Sequence, residues 1–396
     1  MTSPIKQHES VCMTLPYWRL SAFYFCYFAT LGGFLPYWSL YLKNTGFSAL
    51  EIGELSALMV ATKIIAPNLW GWIADHTGKS LRVIRIASFF GALFFSGFLF
   101  AEGYLHYAVI TVCFSFFWNA ALPQFEAATL FHLKQESHRY SQIRLWGSVG
   151  FIASVLGIGS LLELFDIAYL PWLIIVLLSL IWLVAMITPE ARASHSQQDG
   201  LGLWHILMKP EVLAFFVVYM LLQLAHGPYY VFYSIYLNQY AYSATMIGLL
   251  WALGVCAEII LFIFMKRLLS KISLRTILLF SIFLSIVRWW MIAHFPESLM
   301  LMVAAQLLHA ATFGSSHVAA IHLVHHYFGS RHQGKGQALY SSMSFGLGGM
   351  LGSLYSGYLW DSFGATFVYS MAAASCCLAF LIAFFWVGRE KQTLMR

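Results

Sequence analysis

Long apolar runs separated by short polar breaks occupy most of the chain. A bilayer core about 30 Å thick needs roughly 20 helical residues to cross it. A backbone in lipid must also satisfy its hydrogen bonds within its own helix. Twelve runs meet that length, near 18–41, 50–74, 83–102, 106–132, 142–163, 168–188, 211–238, 245–266, 273–293, 298–326, 336–360 and 364–387. The second, fourth and tenth carry polar residues, so their ends are the least defined. The pattern predicts an all-α membrane protein with twelve transmembrane helices.

Composition supports lipid as the solvent. Sixty per cent of the 396 residues are hydrophobic and 10% are charged, against roughly 25% charged in a soluble domain. Taken alone, the net charge of +6 admits an anionic partner, but the placement of charge argues against nucleic acid. Of 22 Lys and Arg, Lys63, Arg144 and Arg288 fall inside spans and Lys43 lies in one set of loops; the other 18 lie at the termini and in the alternate loops. That asymmetry puts both termini in the cytoplasm and requires an even number of spans. The cysteines Cys12, Cys26, Cys113, Cys256, Cys376 and Cys377 show neither a pairing nor a metal-type spacing and read as packing residues. The polar segment before Tyr17 has no cleavable signal, so the first span is expected to act as an uncleaved anchor.

Compared with itself, the chain repeats. Ser39-Leu-Tyr-Leu42, Phe47-Ser-Ala, Ile52-Gly53 and Leu55 return as Ser234-Ile-Tyr-Leu237, Tyr242-Ser-Ala, Ile247-Gly248 and Leu250, at an offset of 195 residues without a gap. The longest polar stretch, within 189–209, falls at the midpoint. Two pseudo-symmetric six-helix bundles are expected: 1–190, a cytoplasmic linker 191–209, and 210–396. Parallel six-span repeats with substrate at their interface are the arrangement of major facilitator transporters. The loop after the second span agrees. Gly71-Trp-Ile-Ala-Asp75-His-Thr-Gly78-Lys79, followed by Arg82 and Arg85, resembles the major facilitator loop signature, with His76 where that family has Arg. Glycines permit a tight turn there, and Asp75 can cap a helix or pair with Arg. The equivalent loop of the second half, Met265–Arg275, retains only basic charge.

Ionisable groups at bilayer depth mark a pathway or a paired site. Glu126 and Arg144 lie 18 residues apart across the fourth-to-fifth turn, placed at Lys134–Glu136. Each is then about 12 Å inside at 1.5 Å per residue, level with the other. They form either a structural ion pair or a substrate site, since Arg offers bidentate geometry to a carboxylate or a hydroxyl pair. Lys63 and Glu258 are equivalent at the same 195-residue offset, so they are candidates to pair across the interface. Unpaired, Glu258 is a proton-coupling candidate; beside Arg288 it stays ionised. His309 is a proton-relay or substrate-contact candidate, or a satisfied core histidine. His317, His322, His325 and His326 follow it without an accompanying carboxylate or cysteine, so no metal is expected. The glycines Gly346, Gly348, Gly349 and Gly352 sit in an apolar run and read as close helix packing. No P-loop, zinc-protease or nucleophile signature is present, so the chain is not expected to be an enzyme. The aromatic runs Phe23–Phe28 and Tyr229–Tyr236 are candidates to line a cavity.

Two resemblances follow from these residues. Phe125-Glu126-Ala127 and Gln142–Gly150 resemble the fourth and fifth spans of the oligosaccharide:proton symporters, in which the matching Glu and Arg bind the sugar. Their stacking aromatic falls at Phe151, and their charged residues of the eighth, ninth and tenth spans fall at Glu258, Arg288 and His309. Thr312 stands where those symporters carry an acid central to proton coupling, and Gln306 where they carry a base. The phenylpropionate permease branch of the major facilitator superfamily is similar over nearly the whole chain, through Arg144-Leu-Trp-Gly-Ser148, Leu253-Gly-Val255, Ala257-Glu258, Val287-Arg-Trp289 and Gln306-x-Leu-His309. The resemblance implies a proton-coupled carrier of the bacterial inner membrane, energised by a proton gradient without a cofactor and working as a monomer. Glu126, Arg144 and Phe151 would contact substrate; Lys63, Glu258, Arg288 and His309 would couple or gate. Three deep cations against two carboxylates leave one positive charge, which suits a monocarboxylate such as an aromatic acid. The alternatives are a sugar or nucleoside symporter and, further off, a non-transporting membrane sensor.

Overall fold

The structure is a computed structural model that describes residues 15–133, 136–190 and 203–389. Nearly all of them are helical. In chain order the helices are α1 (Tyr17–Asn44), α2 (Ala49–Thr77), α3 (Ser80–Ser96), α4 (Gly103–Leu133), α5 (Tyr140–Leu164) and α6 (Leu170–Ile187). A short α7 (Leu203–Leu207) precedes α8 (Pro210–Gln239), α9 (Ala244–Lys271), α10 (Leu274–His294), α11 (Leu299–His309), α12 (Ser316–Ser341) and α13 (Gly349–Trp386). The polar leader, Lys134 and Gln135 of the expected turn, and residues 191–202 of the expected linker lie outside the described residues. Linker residues Leu203–Leu207 form a helical turn.

Eight stretches among the described residues are long and apolar enough to cross a membrane. The last, Leu299–Trp386, is 88 residues long and is not one rod. Gly329 (φ 60°) and Gly364 (φ 81°) break it, because only glycine adopts that backbone without strain. These breaks fall between the runs read as the tenth, eleventh and twelfth spans. Two π-helical turns, Ala310–Ser315 and Ser342–Gly348, also interrupt it.

Helix ends follow local chemistry and repeat at the sequence offset. Ser48 and Glu51 form a reciprocal capping box that starts α2; Ser243, 195 positions on, accepts the Met246 N–H at 3.3 Å and starts α9. Helices α1 and α8 end at Asn44 and Gln239, again 195 apart.

Helix α1 packs on α5 and α6, α3 on α4 and α6, and α2 on α4; beyond residue 203, α13 packs on α8 and α10, and α9 on α11. Contacts α2–α13 and α5–α9 join these two sets. Both joints close at repeat-related glycines. A Cβ on Gly53 would lie 2.7 Å from Gly357 Cα, and one on Gly248 2.5 Å from the Val155 carbonyl oxygen. Each joint adds a carboxylate at a helix N-terminus, where N–H groups lack partners. The Ala49 N–H donates to Asp361 (3.2 Å) and the Thr245 N–H to Glu163 (3.1 Å). Tyr37 donates to the Val155 carbonyl at 2.6 Å beside them.

The loop signature needs correction. Gly78 (φ 65°) ends α2 as expected, but Gly71 lies within the helix facing Gln124. Asp75 is exposed in the last turn of α2 and has no ion-pair partner among the described residues. The helix continues to Thr77, and Asp75 caps no helix N-terminus among the described residues. Lys79 takes the N-cap position of α3 without a side-chain cap. Glu190 caps α3 instead, accepting the Leu81 N–H at 2.8 Å, and its other oxygen lies 4.0 Å from Arg85.

Candidate functional site

Deep polar groups gather in two places. In the first, the Arg144 guanidinium of α5 lies 3.9 Å over the ring of Phe28 and 5.6 Å from that of Tyr24, both on α1. Gly147, one turn along, leaves it room: a Cβ there would meet Arg144 Nη1 at 2.7 Å. The Tyr140 hydroxyl donates to Glu126 at 3.4 Å. Arg144 is within electrostatic reach of Glu126 on α4 and of Glu258 on α9. It ion-pairs with neither. All three side chains are part exposed. A guanidinium and two carboxyls from both sides of the α5–α9 joint therefore share one electrostatic neighbourhood.

The possible Lys63–Glu258 pairing is not formed. Lys63 is exposed and has no ion-pair partner among the described residues. Helix α2 meets the far side at α13 and its preceding π-turn, where Ile64 and Val60 face Gly346 and Gly349. Helix α9 meets the near side at α5. Repeat-related helices occupy opposite flanks of the interface, so equivalent positions are not neighbours. Glu258 packs instead on the π-turn, where a Cβ on Gly314 would lie 3.2 Å from its Cγ. Phe151 is 5% exposed and packed in the core, with its carbonyl against Gly32 of α1.

The second place lies wholly beyond residue 203 and its centre is closed to solvent. Arg288 of α10 has no exposed surface. Its Nε donates to the Ala305 carbonyl at 2.9 Å and its Nη1 to Thr312 Oγ1 at 3.3 Å. The guanidinium carbon lies 4.4 Å from the ring centre of Tyr229 and 4.5 Å from that of Trp289, a cation–π arrangement. Tyr229 donates to Gln306 Oε1 at 3.0 Å. His226 holds its Nδ1 on the Leu222 carbonyl at 2.7 Å, so Nδ1 carries a proton. The His309 ring stacks on Phe313 at 5.3 Å, and Phe313 on His317 at 6.2 Å. His317 Nδ1 in turn meets the Tyr340 hydroxyl at 3.1 Å. Arg288 Nη2, Gln306 Nε2, His226 Nε2 and His309 Nδ1 are buried without a protein partner. Native interiors rarely leave such groups unpaired.

Several of these residues escaped the sequence reading. His226 stands in the apolar run of α8 before Gly-Pro-Tyr-Tyr, and a scan of spans for every histidine would have found it. Tyr140 and Trp289 carry no signal to distinguish them from the other aromatics, whereas Tyr24 falls in the run Phe23–Phe28 already read as a candidate cavity lining. Asp361 and Glu163 lie at span ends, where an acid is unremarkable. The second place offers a cation without a fixed counter-ion and aromatic surface beside it, an arrangement that suits a small organic anion.

Known proteins share this architecture. The model of the MFS_1 like family matches residues 17–371. A probable 3-phenylpropionic acid transporter of Escherichia coli (strain K12) is 28% identical over 366 residues, covering 90% of this chain and 95% of that protein. A maltose permease of Geobacillus stearothermophilus is 26% identical over 378 residues, covering 93% and 94%. The crystal structure of the nucleoside transporter NupG superposes with a TM-score of 0.81 at 17% identity, over 93% of this chain and 98% of that one; that likeness is one of fold.

Proposed function

The chain belongs to the MFS_1 like family and is a multi-pass membrane protein, and from this premise we propose that it is a secondary transporter taking up a small aromatic carboxylic acid with protons. The observation that carries the reading is the deep charge balance. Within the spans, Lys63, Arg144 and Arg288 outnumber Glu126 and Glu258 by one, and no ion pair joins any of them among the described residues. One monocarboxylate neutralises the surplus, and the relative named for 3-phenylpropionic acid supports that choice.

In this reading the twelve spans form two six-helix bundles, 1–190 and 210–396, around the substrate path, with both termini in the cytoplasm of a bacterial inner membrane. The Gly53–Gly357 and Gly248–Val155 contacts then seal the outer end. Glu126, Arg144 and Glu258 keep access to solvent, which favours a form open to the cytoplasm. Glu126 and Arg144 contact substrate, with Phe151 reached only in another conformation. Lys63, Glu258, Arg288 and His309 couple or gate. Thr312, at the position of an acid in the sugar symporters, donates no proton, so Glu258 is the proton carrier of choice.

A second reading, symport of a sugar or nucleoside, is favoured by one observation: Glu126 and Arg144 lie side by side with Tyr24 and Tyr140, a set that bonds hydroxyl pairs. Uptake of labelled 3-phenylpropionate into proteoliposomes separates the two. An inward proton gradient should stimulate it, and Arg144→Ala should remove most of it. Accumulation of a sugar or nucleoside in its place would overturn the acid reading.

A further inference from the structure

We infer that Arg288, with Gln306 and the rings around them, is the receptor for the carboxylate of the transported acid, a site separate from the Glu126–Arg144 pair. The inference rests on the acid reading of the preceding section.

Arginine does not lose its proton in a protein. Moving its charge out of water costs several kcal/mol unless an opposite charge and hydrogen bonds compensate. Arg288 is completely buried and ion-pairs with no carboxylate among the described residues. Glu258, the deep acid of the same half, has Arg144 as its electrostatic neighbour and packs on Gly314. One carbonyl, one hydroxyl and two ring faces hold Arg288, and none of them supplies a negative charge.

Trp289 Nε1 and the Tyr233 hydroxyl are buried and unpartnered here, and so are the two donors that bear on a charged ligand, Arg288 Nη2 and Gln306 Nε2. Tyr229 ties them together, since its ring lies under the guanidinium and its hydroxyl bonds Gln306 Oε1. A carboxylate presents two oxygens and accepts from two such donors. One guanidinium matches one negative charge, so a monocarboxylate fits better than a phosphate. The ring surface matches the rest of the ligand. Tyr229 lies 4.6 Å from Trp251 and 5.8 Å from His309, and His226 lies 4.9 Å from Trp289 edge to face. Aromatic groups prefer such offset and edge contacts. Because Arg288 is fully buried, the acid is received in another state of the transport cycle; the π-helical turn Ala310–Ser315 bears directly on the site through Thr312, and such turns are frequent at functional sites.

The test is calorimetric binding of 3-phenylpropionate and of its neutral amide to the purified full-length protein, with gradient-driven uptake measured in parallel. Wild type should prefer the acid, and Arg288→Lys should weaken acid binding about tenfold or more while leaving the amide unchanged. Gln306→Glu places a permanent carboxylate beside the guanidinium. It should remove acid binding and raise the melting temperature, which guards against a variant that merely misfolds. Unchanged acid binding in both variants, or no preference for acid over amide in wild type, overturns the proposal. If wild type accumulates the acid while Arg288→Lys binds it normally, the transport reading stands and this one falls. Acid binding that depends on Arg288 without gradient-driven uptake supports the site and overturns the transport reading.

Discussion

The two halves of the chain share a sequence repeat and matching helix ends, yet they treat buried charge in opposite ways. Before residue 191, Arg144 is part exposed, rests on one phenylalanine ring at 3.9 Å and has a carboxyl from each side within electrostatic reach. After residue 203, Arg288 is sealed between Tyr229 and Trp289 with no acid in contact. The difference teaches that the repeat extends to the helix frame and not to the polar contents. Helix caps and glycine contacts recur on both sides where the two sets of helices meet. The polar groups inside are free to diverge, so one half can hold a part-exposed cation with carboxylates in reach and the other a sealed, unneutralised one.

The shared frame can be broken first, and there the largest effects are expected. Gly53→Val and Gly248→Val each force side-chain atoms into backbone at 2.7 and 2.5 Å. Overpacking of this kind costs about 1–3 kcal/mol, charged here against the closed joint. Uptake in either variant should fall by an order of magnitude or more while the purified protein still binds ligand. If only one of the two variants fails, the pseudo-symmetry of the joint is wrong.

A middle-sized effect sharpens the contrast between the part-exposed and the closed place. Tyr229→Phe strips a buried acceptor, Gln306 Oε1, of its 3.0 Å partner and should lower stability by about 1–3 kcal/mol, read as a drop in melting temperature. Tyr140→Phe removes a 3.4 Å bond to a part-exposed Glu126, and its melting temperature should move less. Equal shifts would show that the two places are equally closed to solvent.

The smallest expected effect returns to the joint. Glu163→Gln and Asp361→Asn each remove a negative charge from a helix N-terminus of the opposite half. Both should weaken closure slightly and by similar amounts, less than either change above, because the amide still accepts the N–H bond. The measurement is the rate at which a thiol reagent labels a cysteine placed in the sealed end. A fall in that rate would contradict the latch.

Much of this was legible in the residues. The breaks at Gly329 and Gly364 fall where the apolar runs part, and Ser48 and Ser243 announce helix starts through capping chemistry that acts over three residues. The neighbourhood of Glu126 and Arg144 followed from counting rises along two antiparallel helices. The Lys63–Glu258 pairing did not follow, because repeat symmetry relates positions without placing them in contact. Asp75, read as a cap or an ion-pair partner, instead sits exposed in the last turn of α2, because the helix continues to Thr77.

By itself, then, the sequence determined what depends on solvent and on neighbours a few residues away. Length of apolar run, absence of charge and helix caps make membrane-crossing helices, whatever packs beside them. The 195-residue repeat specified that the helix pattern occurs twice. Only the tertiary structure decided which deep charges meet, which are sealed and which keep water. Those outcomes turn on how helices far apart in the chain pack, as α5 does on α9, or on several helices converging around Arg288. Each contact shifts with a rotation of a helix about its axis, and a rotation that the apolar composition of the spans leaves undetermined is set by the packed interior alone.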